Sequence, residues 1–190
     1  MKQKTVKIIW AVFILVIMVS SVIGFMYQPE NTNEVNDGSV NYNGFKFINN
    51  NGYWVLEKDG QSYYFTNLPD DVKSIEIPQI SINNQKQYFL YDYKDLQNNL
   101  GIVSGKLRLV LNNKGVTVVD ACIKEENCPN DWPVKDCTND GFYFKISNQS
   151  RVYKDDKCYV LEGSLTDINK EVDKINYIIL GVFGEWKKRQ

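Results

Sequence analysis

The sequence contains no histidine. This absence excludes Ser-His-Asp and Cys-His nucleophilic catalysis, histidine-ligated zinc and haem, and a pH switch built on imidazole. No internal repeat is visible either. Any chemistry that the protein performs must therefore use carboxylates, tyrosines or cysteines, and binding without catalysis is the simpler expectation.

Charged residues are also absent from a long stretch near the N-terminus, since none occurs between Lys7 and Glu30. As a helix, the apolar segment from Ile8 to Met26 is long enough to cross a hydrocarbon core roughly 30 Å thick. The three lysines before it favour a cytoplasmic N-terminus through the positive-inside bias. We therefore expect a retained transmembrane anchor and an exported remainder. A cleaved signal peptide is the alternative, although the apolar run is long for one and residues 20–24 form a poor cleavage site.

The composition divides the chain into four parts. Residues 1–27 are predicted to form a cytoplasmic stub and the anchor, 28–41 a flexible linker, 42–184 a disulfide-stabilised extracytoplasmic domain, and 185–190 a basic tail. Only 3 of the 22 Lys and Arg residues and none of the 23 Asp and Glu residues precede residue 28, so the exported part has a formal net charge of −4. A nucleic-acid partner, which needs a basic surface, is therefore not expected.

Residues 43–66 have the pattern of an antiparallel meander. Apolar and polar residues alternate in three runs, at 45–47, 53–55 and 63–65. The pair Asp59-Gly60 favours a type I′ hairpin turn between the second and third runs. A second turn at residues 49–52 completes three predicted strands.

The rest of the chain mixes strands with helices. Strands are predicted at 88–91, 116–120, 142–147 and 159–162, and residues 74–82 contain Pro78 and form at most an edge strand. Residues 94–113 have apolar side chains at helical spacing, which favours a helix over a hairpin although Gly101 and Gly105 disfavour it. A final helix is predicted to begin at the cap Ser164 and to end near Gly181.

These elements predict an α+β protein. An N-terminal transmembrane helix is followed by a mixed sheet, made of the antiparallel meander and a strand–helix–strand unit, on which the C-terminal helix packs.

Four cysteines, all in the exported part, predict two disulfides in an oxidising compartment. Four cysteines allow three pairings, of which we favour Cys122–Cys128 and Cys137–Cys158. A zinc site is disfavoured because the closest pair is separated by five residues. A thiol oxidoreductase is disfavoured because no Cys-x-x-Cys motif occurs.

Several features are candidates for binding. Seven aromatic residues form a dense set that suggests a platform for a glycan or peptide, although core packing in strands is the more ordinary role: Tyr53, Trp54, Tyr63, Tyr64, Tyr88, Tyr91 and Tyr93. The loop 125–132 (EENCPNDW) is a candidate partner-binding surface. Asn148 begins the only N-x-[ST] sequon and is a candidate glycosylation site. The basic residues 187–189 are a candidate contact with anionic headgroups.

Acidic pairs at residues 70–71 and 155–156 are interpreted as turn chemistry, since neither belongs to a calcium-binding pattern. The segment Gly101-Ile-Val-Ser-Gly105 is not a nucleophile elbow, because its serine is misplaced. We therefore predict no catalytic residue, no cofactor and no metal.

Three sets of residues extend over most of the exported part and carry a family resemblance: Asn43-Gly-Phe-Lys-Phe with Trp54 and residues 60–72; residues 121–129 with 132–137; and residues 176–181. They resemble uncharacterised single-pass exported proteins of small-genome archaea. Because that family has no assigned activity, the resemblance implies a topology and a compartment, and it adds no site residue.

The sequence thus favours a membrane-anchored extracytoplasmic binding or structural module with a protein or glycan partner outside the cell. The tether would raise the local concentration of the module at the membrane. The alternatives are an exported enzyme that uses carboxylates without histidine and an envelope thiol-exchange protein.

Overall fold

The computed structural model describes residues 38–184 together with Ile14, Ile17 and Met18. The chain divides into two units, Met1–Asn36 and Asp37–Gln190. In the first, the three described residues are helical and more than half exposed. Within the described residues, no helix combines the length and the apolar character that a bilayer span requires. Apart from those three residues, the predicted anchor from Ile8 to Met26 lies outside the described residues, as do the basic tail 185–190 and linker residues 28–37.

The second unit begins with a four-stranded antiparallel meander in which each strand pairs with its neighbour along the chain. Its strands are β1 (Ser39–Tyr42), β2 (Phe45–Asn50), β3 (Tyr53–Lys58) and β4 (Gln61–Phe65). All three connections are two-residue turns with positive φ at both positions, and each ends in glycine: Asn43-Gly44, Asn51-Gly52 and Asp59-Gly60. These are the dihedral signs of type I′ turns, whose twist matches that of the flanking strands.

The prediction of this region was right about two hairpins and wrong about the number of strands. The Asn43-Gly44 turn creates an additional first strand, because Ser39–Tyr42 pairs with β2. The folded sheet therefore starts at Ser39, within the segment that was predicted as linker up to residue 41. Residues 74–82 form no strand.

A second sheet is mixed and separate from the meander. Its strand order is β6-β5-β7-β9-β8. The bounds are β5 (Lys86–Tyr91), β6 (Thr117–Cys122), β7 (Gly141–Ile146), β8 (Arg151–Asp155) and β9 (Cys158–Gly163). The first four strands in this order are parallel, and β8 is antiparallel to β9. The prediction of a mixed sheet is confirmed, but the meander does not belong to it, and β8 was not predicted.

The helical segments are α1 (Pro69–Val72), α2 (Tyr93–Asp95), a π-helical turn (Leu96–Leu100), α3 (Gly101–Asn113) and α4 (Leu165–Ile179). The helix predicted at 94–113 is confirmed, and it connects the parallel strands β5 and β6. Both predicted ends of the C-terminal helix are also present. Ser164 Oγ accepts a hydrogen bond from the Asp167 N–H (3.2 Å) while the Asp167 carboxylate accepts one from the Ser164 N–H (3.1 Å). Gly181 ends the helix with φ of 78°, in a Schellman motif.

The main core lies between the inner face of the meander, helices α3 and α4, and one face of the mixed sheet. At its centre the buried rings of Phe47, Phe65 and Tyr177 contact one another, with Phe65 and Tyr177 stacked at 4.2 Å. The other face of the mixed sheet buries a smaller cluster, comprising Leu90, Ala121, Cys158 and Val160.

Candidate functional site

A groove lies between the meander and α3, and it consists of two cavities that share Ile102 and Lys106 in their walls. The smaller cavity, of about 220 Å³, lies between β4 and α3. The larger, of about 480 Å³, lies between the β2–β3 turn, the π-helical turn and the start of α4. We call the two together the β4–α3 groove. The larger cavity alone falls within the range of about 300–1,000 Å³ that is typical of ligand sites.

The meander contributes the exposed rings of Tyr53 and Tyr64 to this groove. Because side chains alternate along a strand, the residues that do not face the core all face outward. Ile48, Val55 and Tyr64 lie opposite one another on three neighbouring strands. Tyr53 and Tyr64 line the groove and are 49% and 48% exposed. The meander thus presents two half-exposed aromatic rings at the groove wall.

Helix α3 contributes the opposite wall. Ile102 and Leu109 are seven residues apart and therefore lie on one face of the helix, where they are 71% and 40% exposed. Gly105 lies between them, and a Cβ atom at this position would have no heavy atom within 4 Å. The missing side chain therefore leaves open space in the smaller cavity.

A π-helical turn forms part of the wall of the larger cavity. Its Asn99 has a positive φ of 63° and lines this cavity. Isolated π-helical turns occur often at functional sites, and left-handed non-glycine residues cost of order 1–3 kcal/mol. Asn51 and Asn169 line the same cavity, so three amide side chains from three different elements surround it.

The charged side chain in the lining of the groove is paired with a buried carboxylate. Among the described lining residues only Lys106 is charged, and its ammonium group donates to the fully buried Asp173 carboxylate. Asp173 also accepts from the Thr66 N–H and the Asn67 N–H (both 3.0 Å) and from Asn67 Nδ2 (2.9 Å). Burial raises the pKa of Asp173 and lowers that of Lys106, and their mutual attraction opposes both shifts. The four donors favour the ionised carboxylate, so the groove presents a neutral surface to a ligand.

The smaller cavity also has a buried hydrogen-bonding group in its wall. Asn176 lines this cavity and is 1% exposed, and its Oδ1 has no hydrogen-bond partner among the residues that the structure describes. An unpaired buried acceptor costs about 1–3 kcal/mol, so its presence here requires an explanation.

The edge of β4 faces the smaller cavity with unpaired backbone groups. A two-residue turn is flanked by a hydrogen-bonded pair, here Lys58 and Gln61, and bonded and non-bonded pairs then alternate. Ser62 and Tyr64 consequently direct their N–H and C=O groups away from β3. Because β4 is an edge strand, these groups have no strand partner in the described part of the chain.

A second polar cluster, around Tyr143, contains carboxylates that are neutralised by cations. Glu162 is nearly buried and accepts from Lys145 (2.8 Å) and Arg151 (2.8 Å), and these hydrogen bonds lower its pKa. Burial favours a higher pKa for Asp92, but Lys94 and Lys124 outweigh it and the pKa is lowered. Burial and these carboxylates raise the pKa of Tyr143 to about 12. Ionised, paired carboxylates such as Glu162 and Asp92 are poor general acids, whereas burial raises the pKa of Asp95 in the same cluster.

The four cysteines form the disulfides that the sequence favoured, Cys122–Cys128 and Cys137–Cys158. The Lys135 N–H donates to the Cys122 carbonyl and the Lys157 N–H donates to the Cys137 carbonyl. The segment between β6 and β7 is thereby attached to the mixed sheet at two places. No free cysteine occurs in the described part of the chain.

The loop 125–132 is not a free surface throughout. Trp132 packs against the main core, with its ring 6.1 Å from that of Tyr91 and 6.3 Å from that of Tyr93. Asn148 is exposed in the β7–β8 connection, so its sequon is accessible. Whether it carries a glycan stays a prediction.

The acidic pairs have the local roles that were expected. Asp70 pairs with Lys73 (2.8 Å) and Asp71 accepts from the Leu68 N–H (2.9 Å) at the start of α1. Asp156 occupies the β8–β9 turn with φ of 47°. Ser104 is buried within α3, where its Oγ accepts a hydrogen bond from the Tyr91 hydroxyl (2.8 Å).

The seven aromatic residues do not form one platform. Tyr63 and Tyr91 are buried in the core, and Tyr88 lies on the mixed sheet between the ammonium groups of Lys86 and Lys135. Only Tyr53, Tyr63 and Tyr64 of the seven line the β4–α3 groove, and of these only Tyr53 and Tyr64 are substantially exposed.

The wall of the groove that α3 forms was not predicted from the sequence. Ile102 and Leu109 lie outside the apolar stripe of this helix, which runs through Leu100, Val103, Leu107 and Val110. Apolar residues outside such a stripe are expected to be exposed, and this was the available signal for the helical wall of the groove. The buried acids Glu171 and Asp173 were missed because they flank Val172 in a helix whose periodicity suggested only an apolar face.

Within the described residues, no group of three or more acidic or cysteine side chains could hold a metal ion. Comparison with protein-family models, with curated proteins and with solved structures finds no match for this chain.

Proposed function

We propose that the chain is a membrane-tethered extracytoplasmic module that binds a ligand in the β4–α3 groove. This proposal depends on one observation. Exposed apolar side chains line a concave surface in which the charge of Lys106 is neutralised by Asp173. Ligand sites are typically concave, largely apolar and supplied with a few polar groups that fix orientation. The groove has this composition.

The tether is supported by the uncharged segment from Ile8 to Met26 and by the lysines before it. The oxidising compartment is supported by two disulfides and by the lack of a free cysteine in the described part of the chain. The resemblance to exported archaeal proteins supports the same topology. A binding role outside the cell follows from these features together with the groove.

Topology is tested in cells that express the full chain with an epitope at its C-terminus. We expect the protein in the membrane fraction, with an epitope that added protease removes from intact cells. We also expect no reaction with maleimide until a reductant is added. Recovery in the soluble fraction, or four thiols that label without reduction, would contradict the tethered and exported module.

The groove is tested with the full chain in detergent micelles, probed with an oligosaccharide array and a random-peptide display library. Ile102→Glu places a charge in the groove at a position that is 71% exposed, and Val134→Glu is the matched control at a 43% exposed position elsewhere. We expect probes that bind the native chain and the control but bind Ile102→Glu at least tenfold more weakly. Binding that is insensitive to Ile102→Glu, or no bound probe in either collection, would overturn the proposed site.

A further inference from the structure

Building on this proposed function, we infer that the ligand of the β4–α3 groove is an extended polypeptide segment that adds to β4 as a fifth strand of the meander. Within the described part of the chain, the N–H and C=O groups of Ser62 and Tyr64 at the edge of β4 have no strand partner. An edge strand presents such groups as a template for another strand, and proteins usually cover or disrupt long edges. Here the edge opens into a cavity.

The space beside β4 lies between this edge strand and a helix. The smaller cavity is lined on one side by Tyr63, Tyr64 and Phe65 of β4 and on the other by α3. Gly105 removes a side chain from the middle of the helical wall, where a Cβ would have no neighbour within 4 Å. Recognition by strand addition combines main-chain hydrogen bonds for affinity with pockets for alternate side chains for specificity.

The lining defines the side chains that such a segment carries. Ile102, Leu109 and Tyr64 present apolar surface, and Lys106 is neutralised by Asp173. The segment therefore has uncharged, apolar or aromatic side chains at every second position where it faces the groove. A neutral glycan is disfavoured because it supplies no regular row of donors and acceptors for the edge of β4.

The test uses a peptide selected from a random library on the full chain in detergent micelles. Two analogues of the selected peptide are made, with backbone N-methyl groups on the odd or on the even residues. Only one set of alternate amides points toward β4, so we expect one analogue to bind at least tenfold more weakly and the other to bind as the parent does. Equal binding of both analogues would overturn strand addition.

Two glycine variants locate the peptide. Gly105→Leu places an apolar side chain in the smaller cavity, starting from a Cβ position with no heavy atom within 4 Å, and we expect at least tenfold weaker binding. Gly101→Leu is the matched control, since residue 101 is also in α3, lies outside the lining and has only an ordinary contact at 3.9 Å. Equal loss in both variants, or no loss in Gly105→Leu, would contradict the inference.

The failure of this inference is distinct from the failure of the proposed function. If oligosaccharides bind in a manner sensitive to Ile102→Glu and the library yields no peptide, the groove is a ligand site and the strand-addition inference is wrong. If neither collection yields a probe that is sensitive to Ile102→Glu, both are wrong.

Discussion

Helix α4 carries two buried acids that are two residues apart and face different regions. They differ in the number of hydrogen-bond donors that each carboxyl group receives. Toward the meander, Asp173 accepts hydrogen bonds from Lys106, from Asn67 and from the Thr66 N–H. Toward the β7–β8 connection, the one hydrogen bond that Glu171 accepts from a described residue is a long one from Ser150 (3.4 Å), and its Oε2 has no partner there. Both side chains belong to residues that are 0% exposed.

This difference indicates which interactions stabilise each region. On the meander side, an ion pair and three further donors fix the residues around the groove. On the side of the mixed sheet, two disulfides provide cross-links and a carboxyl group remains nearly unsatisfied. Burial raises the pKa of Glu171 to about 8, and the nearby Asp167 and Glu162 add to the shift. Glu171 is therefore protonated at neutral pH, whereas Asp173 has four hydrogen-bond donors that favour its ionised form.

The largest effect is expected on the meander side. Asp173→Asn leaves the Lys106 ammonium buried without its partner, and breaking a buried pair in this way costs about 3–5 kcal/mol in the free energy of unfolding. Urea denaturation of the full chain measures the loss. Asp156→Asn is the control, because this exposed turn residue has a positive φ that asparagine tolerates, and its effect should stay within about 0.5 kcal/mol. If Asp173→Asn lowered the free energy of unfolding by less than about 1 kcal/mol, the proposed difference in pairing between Asp173 and Glu171 would be wrong.

On the other side of α4, Glu171→Gln is expected to stabilise the protein at pH 8. The pKa of Glu171 is raised on folding from 4.5 to about 8, so its contribution to stability is fully present below pH 4.5 and is lost as the pH rises toward 8. At about 1.4 kcal/mol for each pKa unit, the shift from 4.5 to about 8 sets an upper limit of about 5 kcal/mol, so we expect a gain of a few kcal/mol at pH 8.

The check is the stability difference between Glu171→Gln and the native chain from pH 4 to pH 8.5. Other titrating groups contribute to both proteins and cancel in the difference. We expect a difference near zero at pH 4 that grows steadily to pH 8. A difference that does not depend on pH would mean that Glu171 is ionised in the folded protein.

The two disulfides of the mixed sheet should contribute different amounts to the free energy of unfolding. Cys137–Cys158 closes a sequence separation of 21 and Cys122–Cys128 one of 6. The chain-entropy estimate gives about 3 kcal/mol for the longer loop and about 2 kcal/mol for the shorter. Paired cysteine-to-alanine variants, compared by denaturation without reductant, measure both. Equal losses would show that loop length does not determine these contributions.

The smallest effect concerns the groove itself. Gly105→Ala removes the entropic cost of glycine in a helix and should raise the free energy of unfolding by about 0.5–1 kcal/mol, since its Cβ meets nothing within 4 Å. Gly115→Ala is the control, and it should destabilise the protein because Gly115 has φ of 76°. A loss of stability in Gly105→Ala would mean that α3 packs more tightly at this position than the structure indicates.

The elements that sequence patterns predicted well are those whose signals are local. Asp59-Gly60 specified its turn, Ser164 and Asp167 specified a helix start, and the helical spacing in 94–113 outweighed two glycines. The same chemistry at Asn43-Gly44 was overlooked, so β1 was assigned to the linker. β1 is only four residues long, so the alternation of Val40 and Tyr42 with polar neighbours was too short to stand out from the polar linker before it.

The features that the sequence did not provide depend on contacts between distant segments. The separation of the meander from the mixed sheet reflects how the two sheets pack on α3 and α4, which no local pattern encodes. Asp173 and Lys106 are 67 residues apart, and Asp173 and Asn67 are 106 apart. The groove arises from this packing, because Ile102 and Tyr64 are ordinary exposed residues until the fold places them on opposite walls.

The most direct test of the account is backbone amide exchange in the full chain, measured by NMR with and without a saturating peptide selected from the library. The account predicts slower exchange at the amides of Ser62 and Tyr64, which face away from β3, with little change along β8. Protection confined to β8 or to the 123–140 segment, with Ser62 and Tyr64 unchanged, would contradict the assignment of the groove as the binding site.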